Sequence, residues 1–258
     1  MYSLFRTKAF LTYWLNAVDE HSLHSPFFYD LHQSVIKPPA TPMPVAEEIR
    51  RTLLNDRSDI EVHDLGRGSV AIKGNQRTVS NIARTSLAPP RFCSLYLKLA
   101  QHMGATSIIE LGTSLGITAL YLAQAPGSVI TTFEGAPSIA ALARRTFELG
   151  GAKNIDLIPG NIDHTLASHL QPLNHFDFAL IDANHQHDAT VKYFDLLARK
   201  THDRSVVIVD DIYLTPDMKR AWEYIRKHRL VYGSIDIYKC GILFFNPSLN
   251  KQHAVLQH

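Results

Sequence analysis

The chain has 258 residues, 45% apolar and 19% charged, with a formal net charge of +2. That is enough apolar material for one large α/β domain, and too balanced a charge to argue for a nucleic-acid or membrane partner. Two cysteines, Cys93 and Cys240, are too few and too far apart for a disulfide framework or a zinc knuckle, and read as small buried residues in a reducing compartment.

Residues 1 to about 55 read as helical and aromatic-rich. The run Ala9–Leu15, broken by Thr12, is far below the ~20 residues of a membrane span, so a cytoplasmic location is expected. Ser25-Pro26 is a helix start, with serine as cap and proline in the first turn. The segment from Pro38 to Pro44 breaks any helix and reads as a connector. From Asp56 to Pro90 the chain is polar, glycine-containing and without clear period. Between Leu65 and Ile109 it carries Arg67, Lys73, Arg77, Arg84, Arg91 and Lys98 and no acidic residue. That bias fits a solvated loop with one basic helix face, or a site or lid over an anionic ligand.

From Ala88 onward helix and strand signals alternate. Phe92, Leu95, Tyr96, Leu99 and Met103 form one helical stripe. Strands follow at Ser107–Leu111, Val129–Glu134, Ile155–Pro159, Phe176–Asp182 and Ser205–Asp210. Between them lie helical patterns at Gly116–Ala125, Pro137–Leu149, His164–Leu170 and Thr190–Lys200, and another around Trp222 follows the last. Near-continuous apolar strands such as Val206-Val207-Ile208-Val209 predict a parallel sheet covered on both faces. Val231–Tyr238 and Gly241–Phe245 are too close for a crossover helix and should pair as an antiparallel hairpin. The expected fold is therefore α/β: a doubly wound, mostly parallel seven-stranded sheet closed by a C-terminal antiparallel hairpin. Residues 1–87 form an N-terminal helical extension, and residues 88–258 a Rossmann-like domain.

Ligands in such sheets bind beyond the carboxyl ends of the strands. The first strand runs into Glu110-Leu111-Gly112-Thr113-Ser114-Leu115-Gly116. A dinucleotide fingerprint would want glycine where Ser114 stands. Gly112-Thr113-Ser114-Leu115-Gly116 also matches the nucleophile elbow of a serine hydrolase. The third reading is a loop for a methionine-sulfonium cofactor, which carries no phosphate. Glu134, 24 residues beyond Glu110, is well placed to accept hydrogen bonds from two ribose hydroxyls, and a hydrolase has no need for it. Acids also close the later strands: Asp182, then Asp210-Asp211.

These segments, with Pro159-Gly160-Asn161 and Leu180-Ile181-Asp182-Ala183-Asn184-His185, resemble in order the motifs of class I S-adenosylmethionine-dependent methyltransferases. The resemblance covers about Pro90 to Asn246 and is closest to the small-molecule O-methyltransferases related to catechol O-methyltransferase. It implies S-adenosylmethionine as cofactor, with Glu110, Gly112, Ser114 and Gly116 around the methionine moiety and Thr118 supporting its carboxylate. Glu134 would hold the ribose, and Ile162 and Asp163 would lie near the adenine. Asp182 and Asp210 match the magnesium positions of the catechol branch, with Asp211 where that branch has asparagine as its third ligand, although relatives without metal use the acid at Asp182 on the cofactor amine. His185 stands where that branch has a lysine base, which makes Asp182 and His185 the expected catalytic pair. After the fourth strand there is no Asn/Asp-Pro-Pro-Tyr/Phe stretch of amino-group methylation, so the expected partner is a small-molecule hydroxyl. A non-catalytic cofactor-binding protein and a homo-oligomer stay open.

Overall fold

The computed structural model describes residues 2–62 and 76–258. Arg67 and Lys73 of the basic segment lie outside the described residues, as does the part of the expected lid from 63 to 75. In chain order the first elements are α1 (Tyr2–Asn16), α2 (Pro26–Leu31), α3 (Pro44–Asn55), β1 (Asp59–Glu61), β2 (Gln76–Thr78), α4 (Val79–Ser86) and α5 (Pro90–His102). The alternating part follows with β3 (Ser107–Leu111), α6 (Ile117–Leu122), β4 (Val129–Glu134), α7 (Pro137–Leu149), β5 (Ile155–Pro159) and α8 (Ile162–Leu170). It continues with β6 (Phe178–Ile181), α9 (His187–Ala198), β7 (Val206–Asp210), α10 (Pro216–Ile225), β8 (Gly233–Asp236), β9 (Cys240–Phe244) and β10 (Gln252–Val255). The main sheet is mostly parallel and has eight strands. No described helix is long and apolar enough to cross a membrane.

The chain divides into two compact units, one of Met1–Pro38 with Leu173–His258 and one of Pro39–Pro172. The sequence boundary at residue 88 falls inside the second of these. In that unit β3, β4 and β5 lie side by side, all parallel. Its core includes Val79, Ile82 and Ala83 of α4, packed with Ile49 and Leu53 of α3. The helix α4 was not expected from sequence. It is short, but Thr78 caps it by accepting the Asn81 N–H at 3.2 Å, and its apolar side chains are buried where tertiary packing outweighs weak periodicity. Residues 79–86 of the basic segment are thus a helix whose buried face joins a packed core, with Arg84 on its exposed side.

In the other unit the strand order is β10-β8-β9-β7-β6. β6 and β7 are parallel, and the expected hairpin is present as β8 and β9, with β9 also antiparallel to β7. Every residue of β6 and β7 is buried, as the continuous apolar runs require. The eighth strand, β10, adds parallel to β8; its sequence Gln252-His253-Ala254-Val255 carries no strand signal of its own. Trp222 is a core residue, and Gly241 must be glycine because a Cβ there would lie 2.3 Å from the Trp222 ring.

Candidate functional site

In the unit Pro39–Pro172 the parallel register pairs Leu111 with Phe133, which brings Gly112 level with Glu134. The N–H groups of Gly112 and Thr113 both donate to the Phe133 carbonyl, at 3.1 and 3.0 Å. The loop then turns through three left-handed residues, Gly112, Ser114 and Gly116, with φ of 103°, 48° and 85°. At Gly116 a Cβ would stand 2.6 Å from Phe147 Cε1, so both backbone and packing require glycine. The Ser114 N–H donates to Glu134 Oε2 at 2.9 Å and the Ala136 N–H to Oε1 at 2.9 Å. Glu134 is therefore held in place by the loop it serves. A carboxylate has about four acceptor positions, so two N–H bonds do not exhaust its chemistry.

Glu110 occupies a different position from the one the resemblance suggests for a ligand contact. It is 1% exposed, and its Oε2 accepts the Thr132 hydroxyl at 2.5 Å. Thr132 Oγ1 also lies 2.6 Å from Thr113 Oγ1. Burial pushes the Glu110 carboxyl up to about 8; the Thr132 bond opposes this and the Glu134 charge adds to it. Glu110 thus braces the loop from beneath. Thr118 is buried on α6, 3.8 Å from Cys93 Sγ. Ile162 is buried at the start of α8, and the Asp163 N–H donates to the Asn161 cap at 2.9 Å. The Ser114 hydroxyl lies 2.7 Å from that of Ser86. Its described partner is another hydroxyl and not a histidine, so the nucleophile–base pair of a serine hydrolase is not formed among the described residues. Neither Ser86 nor Thr132 was singled out from the sequence; both are polar residues whose part appears only in three dimensions.

In the other unit Ile181 pairs with Val209, so Asp182 and Asp210 close neighbouring parallel strands, as the sequence suggested. Beyond Asp182 the backbone turns through Asn184 and His185 at φ 65° and 48°. This returns His185 Nε2 to 3.6 Å from Asp182 Oδ1, within ion-pair range but longer than a hydrogen bond. Ligand atoms of Asp182, His185 and Asp211 all fall within 4.8 Å of one another. The residue the sequence did not reveal is Lys239. Its Nζ lies 2.6 Å from Asp210 Oδ2 and 2.7 Å from Asp211 Oδ1, where a divalent cation was expected. Burial works against the ammonium, but Asp210, Asp211 and Asp182 outweigh it and hold the Lys239 pKa above its ordinary value.

The turn carrying Lys239 is itself fixed. Asp236 accepts the Tyr238 N–H at 2.8 Å and the Tyr213 hydroxyl at 2.6 Å. The Tyr238 ring stacks on Tyr213 at 5.4 Å and meets Phe10 of α1 edge-on at 5.2 Å. Tyr213 thus supports this turn, while Trp222 lies in the core.

Comparison with known proteins fits this arrangement. Residues 109–212 match a family model described as a methyltransferase domain. No curated protein matches the chain in sequence. Among solved structures, an O-methyltransferase from Bacillus cereus in complex with SAH is 17% identical, with a TM-score of 0.58 over 83% of this chain and 93% of that one. The SAH-bound methyltransferase PaMTH1 of Podospora anserina is 15% identical, with a TM-score of 0.61 over 82% and 91%. The O-methyltransferase TomG from Streptomyces achromogenes in complex with SAM is 19% identical, with a TM-score of 0.55 over 70% and 92%. At these identities the likeness is one of fold.

Proposed function

We propose that this chain is a cytoplasmic enzyme that binds S-adenosylmethionine and transfers its methyl group to a hydroxyl oxygen of a small molecule. The observation that carries the reading is the loop 112–116, with three left-handed residues and the Glu134 carboxylate fastened at its side. A loop of this kind admits a carboxylate, an amine and a ribose without cradling phosphate. The methyltransferase-domain match over residues 109–212 supports it, as do O-methyltransferases of like fold in complex with SAH or SAM.

Methyl transfer is an in-line displacement. The carbon–sulfur bond breaks as the oxygen–carbon bond forms, the sulfonium becomes a neutral thioether, and the hydroxyl proton must leave. Glu134 holds the ribose hydroxyls and thereby fixes the position of the methyl group, which is most of what such a reaction asks of a protein. His185 accepts the proton, a role suited to an imidazole at neutral pH. Asp182, 3.6 Å away, orients the ring and stabilises the imidazolium. No metal enters these steps.

Two measurements test the proposal. Calorimetry should show one site for S-adenosylhomocysteine, and a panel of hydroxyl compounds with S-adenosylmethionine should yield a methyl ether by mass spectrometry. Absence of cofactor binding would end the reading. Binding without transfer to any acceptor would reduce the chain to a cofactor-binding protein.

A further inference from the structure

We propose that the Lys239 ammonium replaces a divalent cation at the ends of β6 and β7, so that this site works without metal. The inference starts from strand register. β7 and β9 are antiparallel with Asp210 opposite Cys240, so the residue before Cys240 is carried past the end of β7, level with Asp211. Lys239 occupies that position. Its side chain reaches both acids, at 2.6 and 2.7 Å. The Asp210 side chain is 0% exposed, against 25% for Lys239 and 27% for Asp211. A fully buried carboxylate needs a compensating charge at hydrogen-bond distance, and here the chain supplies one itself.

The placement of Lys239 is built into its turn. The Lys239 N–H donates to the Ile237 carbonyl at 2.8 Å, and Tyr238 before it is left-handed, at φ 67°. Tyr238 is held by Asp236 below and by Phe10 and Tyr213 at its ring. The donor set argues the same way. Magnesium binds carboxylate oxygens at roughly 2.0–2.1 Å and demands near-octahedral geometry. An ion bridging Asp210 and Asp211 would be forced against an ammonium bonded to the same carboxylates. The remaining group within ligating reach, Asp182, His185 and Asp211, shares Asp211 with Lys239, so a cation entering there would divide the Asp211 charge with the ammonium and be repelled by it. An ammonium carries three N–H donors; two go to Asp210 and Asp211, and the third is the chemistry that would meet an ionising acceptor oxygen.

The metal-free character is a property of the folded chain, whereas its bearing on catalysis rests on the methyltransferase reading. The experiment separates the two. Mn²⁺ binding is followed by electron paramagnetic resonance in an Asp177→Asn background, which removes a second cluster of His175, Asp177 and His202. The protein with Lys239 intact should show no stoichiometric Mn²⁺ binding. Lys239→Ala and Lys239→Gln should each gain one Mn²⁺, and that site should vanish when Asp211→Asn is added. Stoichiometric Mn²⁺ in the lysine-containing protein, abolished by Asp211→Asn, overturns the proposal, as does a folded Lys239→Gln protein that gains no ion. Should neither lysine variant fold, the lysine-containing protein alone decides: binding refutes the proposal and absence of binding upholds it. Turnover, once an acceptor is known, should be unchanged in excess chelator. A tenfold loss restored by Mg²⁺ would overturn metal independence and leave the methyltransferase reading standing. Failure to bind S-adenosylhomocysteine would sink that reading and leave the Mn²⁺ result untouched.

Discussion

Replacing Glu110 by glutamine should change how stability depends on pH. The side chain is buried beneath the loop at Gly112, and its carboxyl is raised by burial from 4.5 to about 8. Below pH 4.5 the group is protonated in both folded and unfolded chains and sets no pH dependence. Between 4.5 and about 8 the unfolded chain has released the proton while the folded chain keeps it, so unfolding releases protons and stability falls as pH rises. Above about 8 both forms are ionised and the slope vanishes. The loss attributable to Glu110 is at most on the order of 3 kcal/mol by pH 7 and 5 kcal/mol above pH 8, taking 1.36 kcal/mol per pH unit. Glu110→Gln keeps the shape, and its amide oxygen can still accept the Thr132 hydroxyl, but it cannot ionise. Urea unfolding at intervals from pH 5 to pH 9 should show the variant gaining on the parent protein as pH rises, most steeply between about 5 and 7 and levelling off above about 8. A gap between the two that stays constant over this range would refute the buried, protonated state of Glu110.

Three further outcomes follow from the same geometry. Gly116→Ala imposes a left-handed alanine and drives its Cβ onto Phe147, at 2.6 Å; unfolding should be easier by about 2–4 kcal/mol, and an unchanged urea midpoint would show the loop to be more yielding than its packing suggests. Glu134→Gln leaves one of the two N–H donors at Ser114 or Ala136 facing an amide N–H. Calorimetry with S-adenosylhomocysteine should show affinity weaker by about 1.5–3 kcal/mol, and undiminished affinity in a folded variant would remove the ribose assignment. His185→Gln should lower kcat by roughly 10²–10⁴-fold with cofactor affinity preserved; turnover at the parent rate would reassign the proton to another group.

The alternation of strands and helices from residue 107 onward was legible because buried parallel strands are written as continuous apolar runs, and Val206–Val209 has only one structural use. The acids at the strand ends were legible for a related reason: a carboxylate directly after such a run has to be at the strand's carboxyl end, where the sheet's buried faces stop. What could not be read was pairing. The part of Lys239 depends on the register of β9 against β7, which places it beside Asp211 from 28 positions away. A lysine in a hairpin turn is otherwise an ordinary solvated residue. Glu110 shows the complementary failure. Its position at the end of β3 suggested a ligand contact, but strand residues alternate between faces, and the Thr132 hydroxyl, itself bonded to Thr113, claims it from below. Helix α4 and strand β10 were missed because neither is long enough to show a period, and each owes its form to neighbours.

The way α1 is anchored has a consequence for the order of folding. Its Arg6 donates to the Leu214 carbonyl and its Tyr13 hydroxyl to that of Leu256, partners 208 and 243 residues away along the chain. At roughly 5–20 residues per second, a ribosome that has released α1 needs on the order of 10–50 s to supply the last of these partners. During that interval Phe10, Tyr13 and their neighbours have no docking surface from Leu214 onward, while the unit Pro39–Pro172 carries β1 to β5 within itself. The helix made first is therefore the one that must wait longest. Chaperones that hold nascent apolar segments would be expected to act on its aromatic face before the rest of the chain has emerged.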